Sequence, residues 1–100
     1  MREMIRTPSI ETVELDLGRL ATVDHVTTME RTELGQRVRA YVIEGFQGDR
    51  WIELANGASI GHKRIDAFPP VEVRRIRFRA RQAAAPPALR RLAAHHAGGT

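Results

Sequence analysis

The sequence contains no cysteine. A disulfide scaffold, a zinc–thiolate centre and a thiol nucleophile are therefore excluded. Serine is scarce: only Ser9 and Ser59 occur, and neither stands in the G-x-S-x-G turn that exposes a nucleophilic hydroxyl. Lys63 is the only lysine. No apolar run approaches the ~18 residues of a membrane-crossing helix. A charged start followed by an apolar stretch and a small-residue cleavage site is also lacking. The expectation is a chain without a signal peptide, cytoplasmic if Met1 is the natural start. One hundred residues fall well below the ~250–300 at which a core divides. One domain over 1–100, with its core at about 10–95, is expected.

Of the 42 apolar residues 13 are alanine, which leaves 29 larger ones for a thin core. Charge is uneven. Residues 1–50 hold seven arginines and nine acids, whereas residues 51–100 hold eight arginines, Lys63 and three acids. A basic half permits nucleic acid, anionic glycan or acidic protein partners, or simply solvates a surface.

The hydropathy pattern is that of strands. In "SIETVELDLG", Val13, Leu15 and Leu17 alternate with Thr12, Glu14 and Asp16, the period of a half-buried strand, and Gly18 is read as its stop. "DHVTTME" is a second, shorter strand. "GQRVRAYVIEGF" is rich in β-branched and aromatic residues. It is apolar on both faces, so it is either covered on both sides or bulged. "QGD" at 47–49 reads as a tight reversal into "RWIELA", with Gly48 free to take positive φ. Asn56-Gly57 is a second hairpin-turn dipeptide. Pro69-Pro70 interrupts any ladder, since proline supplies no N–H. In "RRIRFRAR", Ile76, Phe78 and Ala80 face one side and Arg75, Arg77, Arg79 and Arg81 the other. After Pro86-Pro87, "ALRRLAAHHA" has the composition of a helix.

Candidate chemistry is sparse. His95 and His96 are adjacent but have no companion ligand at metal-site spacing. Glu30 and Glu33 flank a loop and read as its solvated carboxylates rather than an acid–base pair. Trp51 on a strand is core or a sugar-stacking platform. The arginine stripe could meet phosphates, but it lacks the interleaved aromatics of single-strand binders. A nucleic-acid role ranks below the others.

Several segments, taken in order, resemble one family. They are "LDLG" (Leu15–Gly18), "GQRV" (Gly35–Val38), Trp51, "IGHKRI" (Ile60–Ile65), "FPP" (Phe68–Pro70) and "IRFR" (Ile76–Arg79). The order and motifs resemble the C-terminal module of α-L-fucosidases. The resemblance implies an all-β fold, a discoidin-like (galactose-binding-domain-like) β-sandwich or most of one. It also makes residues 88–96 the closing strand rather than a helix. It implies a non-catalytic carbohydrate-binding or accessory module, because the family's catalytic carboxylates belong to a barrel with no counterpart here. Neither cofactor nor calcium site is expected. The family's module opens upstream of this sequence, so a module lacking its N-terminal strand is expected. Self-association, or docking to a catalytic domain, would cover the exposed edge. On this reading the end loops would meet a fucose- or galactose-containing glycan through Gln36, Arg37, His62, Lys63 and Arg64, with Trp51 nearby. The alternatives are a structural or oligomerisation domain pairing through its edge, and an arginine-rich nucleic-acid binder.

Overall fold

The computed structural model describes residues 5–6, 12–31, 38–61, 63–83 and 89–96. Among these residues six strands follow in chain order: β1 (Ile5–Arg6), β2 (Thr12–Glu30), β3 (Val38–Gln47), β4 (Arg50–Gly57), β5 (Arg64–Ala83) and β6 (Leu89–His95). All pairings are antiparallel, in the order β1-β2-β5-β3-β4, with β6 also on β2. The expected all-β sandwich is present.

Two long strands make the sandwich from one continuous sheet. β2 and β5 pair from end to end, with two offsets. Residues 17–20 of β2 lie opposite Arg74 alone, and Asp24 then lies opposite residues 68–70. Each offset is an extra-residue bulge, which bends and twists its strand. The sheet folds over there. One layer holds β1, the first half of β2, the second half of β5, β3 and β4; the other holds β6 with the remaining halves of β2 and β5. The two layers share one core. Val13, Leu15, Tyr41, Ile43, Ile76 and Phe78 from the first cluster with Val26, Leu92 and Ala94 from the second.

This geometry corrects several expectations. Gly18 does not stop the first strand. It sits within the first offset at φ 81°, its N–H donating to Asp16 Oδ1 at 2.8 Å, and the two expected strands are one. Pro69 and Pro70 fall in the second offset, where no ladder N–H is required, so the ladder breaks while β5 continues. Asn56-Gly57 is not a turn, because both residues pair with β3. Gly57 is needed for a different reason: a Cβ there would lie 2.7 Å from Tyr41 Oη. The tail is a strand, as the resemblance implies and its composition does not. Leu92 and Ala94 close the core against Thr28 and Val26, and burial of this kind overrides helix propensity. The expected reversal is in place: Gln47 pairs with Arg50 across Gly48, whose φ is 66°. β3 carries its bulge at Arg39, the extra residue between Val38 and Ala40 in the register with β5.

Candidate functional site

The ends of the 32–37 segment, at Glu30 and Val38, adjoin the 58–61 segment at Gly61. The first joins β2 to β3, and its base is clamped by a carboxylate. Glu30 is 2% exposed, and its Oε2 accepts the N–H of Val38 at 3.1 Å. Glu30 is thus a buried brace, not the solvated loop acid expected. Its own N–H donates to the carbonyl of Gly61 at 3.4 Å, which ties the second loop to the base of the first. Ile60 anchors that second loop in the core, and Gly61 turns it at φ 63°.

Arg64 ends the second loop and begins β5. Its Nη1 donates to the Ser59 carbonyl at 3.4 Å, and its Nε lies 3.4 Å from Asp66 Oδ1. Its guanidinium stands 5.9 Å from the centre of the Tyr41 ring. Asp66 is buried and also accepts the Tyr41 hydroxyl at 2.6 Å. Burial, and then this bond to a carboxylate, push the Tyr41 phenol well above its ordinary range. The loop end therefore rests on the bonded group of Tyr41, Arg64 and Asp66, with the Glu30 clamp beside it and exposed Lys63 at its rim. Gln36, Arg37 and His62 lie outside the described residues.

Trp51 is elsewhere. It pairs with Phe46 beside the Gly48 turn, at the opposite end of the β3–β4 hairpin from the Tyr41–Gly57 pair that adjoins Arg64. Its ring meets Phe46 edge-on at 5.2 Å, and the Arg77 guanidinium lies 4.1 Å from its centre. The structure thus brings Lys63 and Arg64 together with the ends of the 32–37 loop, and Trp51 with the arginine stripe.

That stripe carries its own counter-charges. Glu44, itself buried, accepts Arg77 Nε at 2.9 Å and Arg79 Nη2 at 3.1 Å. Glu53 lies 3.3 Å from Arg81, and Glu14 lies 3.9 Å from Arg75. A stripe whose four arginines meet three carboxylates, with Arg77 stacked on Trp51, offers phosphates much less than its sequence suggests.

One grouping escaped sequence reasoning. His25 and His95 are register partners on β2 and β6, with rings stacked at 4.7 Å. Desolvation, and then the neighbouring His25, hold the His95 imidazole below its ordinary pKa. Only the β2–β6 register joins the two residues. A correct strand assignment for the tail, set antiparallel to "DHVTTME", could have found them.

The F5/8 type C domain family matches residues 5–92. A rice protein (Oryza sativa subsp. japonica) assigned as an α-L-fucosidase is 35% identical over 57 residues, which is 57% of this chain and 11% of that protein. A solved structure assigned as an α-L-fucosidase of Bacteroides thetaiotaomicron superposes with a TM-score of 0.84 at 30% identity, covering 93% of this chain and 21% of that one. A glycoside hydrolase 29 family member from an unknown rumen bacterium gives a TM-score of 0.86 at 25% identity, covering 99% of this chain and 19% of that one. The chain thus spans about a fifth or less of these relatives. It corresponds to their small non-catalytic C-terminal domain and not to the catalytic barrel.

Proposed function

Since the chain belongs to the F5/8 type C domain family, we propose that it is a non-catalytic carbohydrate-binding module serving an α-L-fucosidase-like protein. The observation that carries this reading is the clamped loop end, where Glu30 fastens Val38 and Gly61 to one base. Sandwich loops on a rigid floor are where binding residues gather. Lys63 lies at the rim, and Gln36, Arg37 and His62 belong to the same two segments by sequence. All four are donors suited to sugar hydroxyls. Arg64 is the positioning residue, because its guanidinium is engaged with Ser59, Asp66 and Tyr41. Fucose and galactose are the sugars to try first. The test is an NMR titration with each sugar at low and high salt. Shifts centred on 60–64 and insensitive to salt support the reading; the absence of shifts there with either sugar counts against it.

A second reading, docking to another domain or chain, is favoured by one feature. Ile65 is 56% exposed and borders an apolar groove of about 390 Å³ with Ala67, Phe68 and Pro70. A docked partner would cover this side chain and the groove beside it.

A further inference from the structure

His25 and His95 lie on neighbouring antiparallel strands, at paired positions. Their rings face each other with centres 4.7 Å apart and planes 13° from parallel. The contact is built. Asp24 lies in the second β2–β5 offset, whose extra residues, 68–70, belong to β5. Asp24 Oδ1 lies 2.9 Å from His25 Nδ1. An ionised carboxylate only accepts, so it holds the proton on Nδ1 and leaves the lone pair on Nε2. This carboxylate–histidine arrangement is the one that orients imidazoles toward metals. His95 has no hydrogen-bonding partner among the described residues. It borders a groove of about 650 Å³ with Leu17, Arg19, Thr22 and His96. His25 borders the separate groove beneath Phe68 and Pro70, so each ring is open to solvent on its own side.

We propose that His25 and His95 form a cross-strand chelate for a borderline divalent transition-metal ion such as Zn²⁺ or Ni²⁺. Such ions take imidazole nitrogen at about 2.0–2.1 Å. A modest rotation of both rings about their side-chain bonds opens the stack and converges the two Nε2 atoms, while the β2–β6 ladder stays as it is. No group of three His, Asp or Glu residues able to hold a metal occurs among the described residues. The ion is therefore held by two imidazoles, and water completes its shell. Affinity is micromolar rather than that of a closed structural site. Asp24 acts through His25 and is a positioning residue. His96 lies just past the end of β6 and borders the same groove as His95, but it takes no part in the ring stack and is not a ligand in this proposal. The site is independent of the carbohydrate reading, since it lies well along β2 from Glu30 and the loop end.

The test is calorimetric titration of the untagged protein with zinc chloride and nickel chloride near neutral pH. Nitrogen-15 spectra of the imidazoles in the wild-type chain accompany it. One ion per chain is expected, with the Nε2 resonances of both His25 and His95 shifting. His25→Gln and His95→Gln should each weaken binding at least tenfold. Asp24→Asn should weaken it about tenfold. His96→Ala should leave it unchanged, and calcium chloride should give no binding, since hard cations take oxygen ligands. Circular dichroism checks the fold of each variant, and the wild-type spectra decide the matter if a variant fails to fold. No shift at either ring overturns the proposal. So does binding that survives His25→Gln, or one ion shared between two chains.

Discussion

Tyr41 of one layer donates its hydroxyl proton to Asp66 of the other at 2.6 Å, and both side chains are buried. The bond fastens the two halves of the folded sheet just below the loop end. Half-exposed Arg64 supplies the counter-charge to Asp66 at 3.4 Å. Tyr41→Phe removes the donor and leaves a buried carboxylate short of a partner. Loss of such a partner costs about 1–3 kcal/mol. Urea denaturation should show a lower midpoint for Tyr41→Phe with an unchanged slope. A midpoint equal to wild type would mean that the bond adds nothing net.

Alkaline pH tests the same pair. Burial and the Asp66 bond raise the Tyr41 pKa above its ordinary value, which is about 10 in an unfolded chain. Above that pH the unfolded phenol gives up its proton while the native one keeps it. The native state then binds more protons, so stability falls as pH rises. The contribution is fully present below about pH 10 and is lost above it. Thermal melts across that range should fall for wild type more steeply than for Tyr41→Phe. Parallel curves would rule out Tyr41 as the titrating group.

Two glycines separate steric from conformational cost. At Gly57 an added Cβ meets the Tyr41 ring and hydroxyl at 2.7–2.8 Å. The ring is buried against Phe78, its centre 5.4 Å away, and has no room to yield. At Gly48 the Cβ would meet nothing within 4 Å, but φ is 66°. Gly48→Ala should cost about 1–2 kcal/mol, the left-handed penalty for an L-residue. Gly57→Ala should cost more and should also disturb the Tyr41–Asp66 bond, readable in the tyrosine ring proton shifts. The reverse order in denaturant midpoints would contradict this account.

What the sequence made legible follows a physical divide. Alternation in "RRIRFRAR" and the Gly48 reversal are local properties, and both are where the sequence puts them. Asp16–Gly18 is local too, yet its outcome is not: the same Asp-to-glycine hydrogen bond can end a strand or bulge it, and the choice depends on β5 lying alongside. The tail shows the same limit. Alanine and arginine favour a helix in isolation, while Leu92 and Ala94 are held extended by a strand more than sixty positions away. At the loop end, Arg64 was legible as a residue type and its partners were not. Glu30 looked like a solvated acid because nothing local announces that its carboxylate will turn inward to Val38. His25 and His95 are legible only through the register.

Glu44 decides whether the arginine stripe can meet nucleic acid. It accepts from both Arg77 and Arg79, and Glu53 takes Arg81. Wild type should therefore show no retardation of a short oligonucleotide at physiological salt. Glu44→Gln with Glu53→Gln removes two negative charges from the stripe. That variant should bind DNA weakly at low salt and release it as salt rises, the mark of counterion release. Tight, salt-resistant binding by wild type would reinstate the nucleic-acid reading.

The sugar reading is tested by setting the two ends of the sandwich against each other. Lys63 is exposed at the loop rim, so Lys63→Ala should weaken fucose or galactose binding several-fold and leave the melting temperature unchanged. Arg64→Ala releases the Ser59 carbonyl and Asp66 together. It should lower the melting temperature and weaken binding further, because the loop loses its brace. Trp51 stands at the far end of the hairpin with Arg77 against its ring. Trp51→Ala should cost stability through lost packing, since large-to-small changes at packed aromatics leave a cavity, yet leave sugar affinity as it was. The readout is a sugar titration followed by NMR, run beside a thermal melt for each variant. If Trp51→Ala abolishes binding while Lys63→Ala does not, the ligand sits on the hairpin face and the loop-end site is wrong.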